Sequence, residues 1–224
     1  IVFLGHGLRV GIFLCMALLA SATLARGNVD GRRVRWLAAT AWLLVCLYFS
    51  QNLGALLIAL PLTAAILIAP KRLQFLLAGT LAGIILIYPL ARGSGLIPTE
   101  RITSWVSTIS ADRAQSFEYR LKNEDILLDK ANQKPLAGWG LWGRSRVFDP
   151  ETGGDMSTTD GSWIIVIGVY GWIGYLGEFG LLCGGVILMW RRHQKFGLDV
   201  LDAGLAIVLV ANLVDLIPNS SGMP

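Results

Sequence analysis

Long apolar runs separated by short polar connections make up most of this chain, and one long polar stretch interrupts them. The runs lie at about Val2 to Ala25, Trp36 to Phe49, Leu53 to Ala69, Leu73 to Ala91, Trp163 to Trp190 and Val200 to Ile217. A helix needs about 20 residues to cross about 30 Å of hydrocarbon. The apolar positions do not alternate as the strands of a membrane barrel would. The pattern predicts an all-α integral membrane protein with about six transmembrane helices. Residues 1–91 hold four of them, 92–162 form one large loop, and 163–224 hold the last two. Trp36 to Ala69 is too long for a single span, and Ser50, Gln51, Asn52 and Gly54 supply a turn, so the second and third spans form a tight hairpin.

The loop carries its own periodicity. After Pro98 and Thr99, the spacing of Ile102, Trp105, Val106 and Ile109 predicts a short amphipathic helix suited to a membrane surface. Ser110 then stands as the cap of a more polar helix from about Ala111 to Asn132, which ends before Pro135 because a residue ahead of proline avoids the helical conformation. The run Gly138-Trp139-Gly140-Leu141-Trp142-Gly143-Arg144 follows. Residues 149–162, with Gly153 and Gly154, read as a mobile loop leading into the fifth span.

Composition agrees with the bilayer reading. The chain is 54% hydrophobic and 15% charged, where soluble domains carry about a quarter charged residues. Basic residues concentrate in three short connections: Arg26, Arg32, Arg33 and Arg35; Lys71 and Arg72; and Arg191, Arg192 and Lys195. Six spans put all three on one side, which the positive-inside rule makes cytoplasmic; the large loop is then periplasmic, on a bacterial inner (plasma) membrane. The loop's nine basic and ten acidic residues do not oppose this, because segments beyond about 60 residues translocate regardless of charge. The net charge of +4 is scattered and forms no stripe for nucleic acid. Ile1 opens inside an apolar run, so the chain reads as a C-terminal fragment. Cys15, Cys46 and Cys183 all sit in apolar runs, and His6 and His193 stand far from other ligand types, which suggests neither disulfide nor metal; no cofactor is called for.

Several loop residues have the chemistry to hold a phosphate. Arg120 and Arg144 offer guanidinium groups that stay charged and can donate to two phosphate oxygens at once. Arg120 equally has Glu124 at i+4 and Ser116 at i−4 as helix-surface partners, and Arg146 serves as well as Arg144. The backbones of Gly138, Gly140 and Gly143 can approach a ligand and aim their N–H groups at it. Trp139 and Trp142 suit either sugar stacking or anchorage at the bilayer interface. Asp160 can act as a base or, with Ser162, as a helix cap. In the spans, Glu178 is an ionisable group with no charged neighbour in sequence, and Gly168, Gly171, Gly174, Gly177 and Gly180 form a stripe free of side chains.

The order of these pieces resembles a known family. Arg120, then Lys134-Pro135-Leu136-Ala137-Gly138-Trp139-Gly140, a polar loop, and Asp160-Gly161 opening a span with Gly171-Trp172-Ile173-Gly174 is similar to the O-antigen ligase and O-antigen polymerase family, over roughly Gln51 to Leu182. The resemblance implies a GT-C-like membrane glycosyltransferase of surface polysaccharide and lipopolysaccharide biosynthesis. Such an enzyme takes a glycan from undecaprenyl diphosphate and passes it to an acceptor lipid, glycan or protein, without a metal and with inversion. It makes Arg120 and Arg144 the candidates for the leaving diphosphate, and Asp160, standing where the family's base would be, the candidate base. There are two departures. The family often has histidine where Asp160 stands, and a Ser-Arg pair where Asn52 and Leu53 precede Gly54-Ala55-Leu56-Leu57. Arg9, beside His6 in the first span, is the candidate to replace that arginine, with snorkelling to the membrane surface as its alternative. A non-catalytic membrane subunit or a transporter fragment is the alternative for the whole chain, although no internal repeat supports a transporter.

Overall fold

The computed structural model describes residues 7–197 and 199–220. Among them the chain is all-α, with eight α-helices: α1 (Gly7–Arg26), α2 (Arg33–Phe49), α3 (Leu53–Ile68), α4 (Lys71–Gly93), α5 (Thr99–Ile109), α6 (Ala111–Asn132), α7 (Ser162–Phe196) and α8 (Val200–Asp215). Three of them, α1, α4 and α7, are long and apolar enough to cross a membrane, which marks the chain as a membrane protein. The 17-residue α2 and the 16-residue α3 and α8 are about 24–26 Å long at about 1.5 Å per residue, just under the hydrocarbon thickness. The first predicted span starts at Val2, and its residues up to His6 lie outside the described ones.

The chain divides into two compact units, Ile1–Ile85 with Leu182–Asp215, and Leu86–Leu181 with Leu216–Pro224. In the first, α1 packs on α2, α3 and α8. Small residues let the backbones close. A Cβ built on Gly11 would fall 2.6 Å from the Asn52 Cβ, and one on Gly204 would fall 2.7 Å from the Thr23 Cβ. Many of the polar groups buried here are paired, as a medium without water favours, although among the described residues the Trp36 indole N–H, the Thr63 hydroxyl and the His193 Nδ1 have no hydrogen-bond partner. The Ser21 and Thr40 hydroxyls meet at 2.9 Å, and the Gln74 amide donates to the carbonyls of Ala65, Ile66 and Ala69, satisfying the end of α3. The predicted hairpin is present: Asn52 caps α3 by accepting from the Ala55 N–H at 3.0 Å. His193 is buried and stacks on Phe75, with ring centroids 4.5 Å apart, so it packs in this unit's core.

The second unit contains α5 and α6, packed together, the first part of α7 and the polar connection between α6 and α7. Both loop helices fall where the sequence places them, although Ser110 occupies the N-cap position without a side-chain capping bond. The feature that periodicity does not reveal is a break in α7. Gly171 sits at φ 66° and ψ −166°, a region essentially reserved for glycine. The four backbone groups around the break take their partners from residues 135–140. Trp139 N–H donates to the Gly168 carbonyl (2.9 Å) and Gly140 N–H to that of Val169 (2.8 Å). In return, Trp172 N–H donates to the Pro135 carbonyl (2.7 Å) and Ile173 N–H to that of Leu136 (3.2 Å). Backbone groups freed inside an apolar helix must be satisfied by protein, and the loop does so here.

Candidate functional site

Arg120 and Asp160 come together. Arg120 is in the middle of α6 and Asp160 just before α7, and the Arg120 Nε lies 3.5 Å from the Asp160 Oδ2. The segment carrying Asp160 is held against α6 by two side chains one helical turn apart, Tyr119 and Asn123. The buried Asn123 accepts from the Thr158 N–H through its Oδ1 at 2.9 Å, and the Tyr119 and Thr158 hydroxyls meet at 3.0 Å. Arg120 and Asp160 are each about two-fifths exposed, at 41% and 38%. An exposed pair at that distance is worth only about a few tenths of a kcal/mol, so an incoming anion can part it at little cost.

Both residues line a cavity of about 230 Å³ with Tyr88, Thr99, Glu124 and Thr158 as the other polar groups and Ile97, Ile102, Phe117, Leu121, Ile164, Ile217 and Pro218 as its apolar wall. Glu124, offered by its i+4 spacing as an alternative partner for Arg120, is not paired with it. Its carboxylate turns instead to Arg92, accepting from Nε at 3.4 Å and from the Tyr88 hydroxyl at 3.5 Å. Arg92 also donates to the Leu121 carbonyl at 3.1 Å and lies 2.8 Å from the Asp125 Oδ1. Arg92 and Glu124 are nearly enclosed, at 7% and 13% exposed. Burial pushes the Glu124 carboxyl up, while the Arg92 guanidinium pulls it down. The Trp163 indole N–H also faces Glu124 and favours its charged form, short of full hydrogen-bond geometry. A periodicity argument had one signal for this cluster: Arg92 ends an apolar helix, where a charge needs a partner.

Arg144 does not line this cavity. It borders a separate, open groove of about 490 Å³ together with Lys130, Lys134, Trp139, Trp142, Gly143, Arg146, Val147 and Phe148. A cradle formed jointly by Arg120 and the Gly138–Arg144 turn therefore divides into two places. The glycines of that turn have local duties. Gly138 N–H donates to the Lys134 carbonyl and Gly140 N–H to that of Val169, so neither is aimed at a ligand. A Cβ on Gly138 would come within 2.6 Å of the Val169 carbonyl and the Gly171 N, which is why this position, at φ +65°, excludes a side chain. Trp139 donates its indole N–H to the Lys130 carbonyl (2.8 Å), and the Lys130 and Lys134 ammonium groups lie 3.9 and 4.1 Å from its ring centroid. These two charges are thus at most about 8 Å apart. Their repulsion is about 0.5 kcal/mol in bulk water and about 2 kcal/mol at an effective dielectric constant of about 20. Trp142 is 92% exposed at φ 67°.

Beyond the groove, residues 147–157 are hydrogen-bonded through their length, more than their composition suggests. Met156 N–H donates to the Val147 carbonyl and Asp149 N–H to that of Gly154. The Asp149 carboxylate accepts from the N–H groups of Glu151 and Thr152, and Asp155 accepts from Ser157 and from Arg146 at 2.8 Å. These bonds hold both aspartates below the usual carboxylate range. Arg9 is exposed on α1, belongs to the first unit and is not among the residues lining the Arg120 cavity. His6 lies outside the described residues. Among the described residues no three His, Cys, Asp or Glu side chains converge as a metal site. The chain matches no family model, no curated protein and no solved structure.

Proposed function

We propose that this protein is a membrane glycosyltransferase of the O-antigen ligase or polymerase type, transferring a glycan from undecaprenyl diphosphate to a lipid, glycan or protein acceptor on the periplasmic side of a bacterial inner membrane. The observation that carries the reading is the pairing of Arg120 with Asp160. Two residues 40 apart, singled out for complementary roles, line one partly apolar cavity next to helices long enough to span a bilayer. In the reaction, an acceptor hydroxyl gives its proton to Asp160 as its oxygen attacks the anomeric carbon. The bond from that carbon to the diphosphate oxygen breaks, and its electron pair leaves with undecaprenyl diphosphate. Arg120, released from Asp160, takes up the charge that develops on the leaving oxygens. The reading takes six spans with the three basic connections inside and the loop outside; a bilayer thinned by a few Å would accommodate α2, α3 and α8.

The test is glycan transfer in proteoliposomes carrying the full-length protein and an undecaprenyl-diphosphate-linked donor. Arg120→Ala should lower the rate about 100- to 1000-fold, the usual loss on removing one aimed donor, with the protein retained in the membrane at its normal level. Transfer by that variant at the unaltered rate would refute the reading.

A further inference from the structure

The groove beside the Gly138–Arg144 turn has no part in the reaction above, and its chemistry is specific. Four cations, Lys130, Lys134, Arg144 and Arg146, line it with no carboxylate among the lining residues. Arg146 is paired with Asp155, but among the described residues Lys130, Lys134 and Arg144 have no carboxylate partner. Like charges gathered without counterions are stabilised when an anion binds. Arg144 is already oriented for one: its Nε donates to the Leu141 carbonyl at 3.0 Å, and its Nη2 lies against Gly140, 2.8 Å from where a Cβ would stand. Gly140 itself stands at φ +75°, a left-handed conformation that favours glycine. Two aromatic rings complete the walls. Trp142 is held outward in a left-handed conformation unfavourable for a non-glycine residue, and Phe148 is 48% exposed.

We propose that this groove is a binding site for a phosphorylated sugar, engaged through Arg144, Lys130 and Lys134 on the phosphate and Trp142 on the face of the ring. A neutral glycan has no use for unpaired cations, and a bare phosphate has none for an outward-held indole. A nucleic acid strand would need a longer basic track than this segment offers, where acidic residues match the basic ones. The groove volume of about 490 Å³ suits one small ligand. Assigning the phosphosugar to the acceptor rests on the transferase reading; the binding itself does not.

The experiment measures calorimetric binding of glucose 6-phosphate, glucose and inorganic phosphate to the full-length protein in phosphatidylcholine nanodiscs. Glucose 6-phosphate should bind at least about tenfold more tightly than either control, and weaken about tenfold in Arg144→Gln. Trp142→Ala should reduce it to the level of inorganic phosphate. Lys134→Gln, on an exposed side chain, gives an independent check in which the same direction is expected. Equal binding of glucose and glucose 6-phosphate, or no change in Arg144→Gln and Lys134→Gln, would overturn the proposal. So would loss of glucose 6-phosphate binding when phosphatidylglycerol is mixed into the discs, which would assign the groove to a lipid headgroup. Arg120→Ala separates this site from the transferase reading. Unaltered transfer with intact glucose 6-phosphate binding removes the reaction and leaves the groove; parallel loss of both overturns a second site.

Discussion

Replacing Gly171 by alanine tests the break in α7 directly. The native φ of 66° with ψ −166° lies where a side chain costs about 1–3 kcal/mol. The new Cβ would also fall 2.3 Å from the Leu136 carbonyl oxygen and 2.7 Å from the Ala137 N, both backbone atoms that cannot swing aside. Residues 136–137 must therefore withdraw. The bonds from Trp172 N–H to Pro135 and from Ile173 N–H to Leu136 go with them, each worth about 1 kcal/mol net and more if the donors stay buried and unpaired. The total is about 3–6 kcal/mol. At about 2–4 °C per kcal/mol for a chain of this size, the detergent-solubilised protein should melt about 10 °C lower or more. Gly177→Ala is the matched control, because a Cβ there meets nothing within 4 Å and alanine favours a helix by up to about 1 kcal/mol. Thermal unfolding should rank the control at or above the parent protein and Gly171→Ala far below. Two variants melting within a degree of each other would refute the argument that the loop backbone holds the break.

Removing Arg92 while keeping Glu124 should be costly. Arg92→Met leaves a nearly enclosed carboxylate without its counterion, for which about 3–5 kcal/mol is typical, and Arg92→Met with Glu124→Gln should recover much of it in the same melting assay. For the 147–157 turn the sign follows from the lowered pKa values of Asp149 and Asp155. Their stabilisation is complete above the ordinary aspartate value of 3.8 and is lost as pH falls through the lower folded values. Amide exchange at Thr152 and Ser157, corrected for its intrinsic rate, should stay constant from neutral pH to about pH 4 and rise below it. Exchange that accelerates between pH 7 and 5 would contradict the assignment.

Much of the architecture is legible without coordinates because long apolar runs leave few options. Five of the six runs coincide with helices to within a few residues at each end, as far as they are described, and α6 begins and ends where the cap position and Pro135 place it. Arg120 and Asp160 are each picked out by their chemistry, but their meeting is not legible, since nothing in the sequence says which pair of polar residues 40 apart will touch. Glu124 illustrates the limit. At i+4 from Arg120 it reads as that residue's partner, but the buried Arg92, 32 positions away, is the stronger competitor in a dry setting. Gly138 and Gly171 fail for a related reason. A glycine that admits a ligand and one that admits another stretch of backbone look alike until the neighbour is seen.

The loop backbone that completes α7 comes earlier in the chain than the helix it completes. Residues 135–140 are thus made before Gly171, and only about 30 residues separate the paired groups, so the closure entropy is small. The break can be satisfied once residues 135–173 have emerged, with no wait for the last helix. A substitution in the Pro135–Gly140 stretch should therefore show itself as faulty insertion or degradation of the newly made protein before it shows itself in any activity.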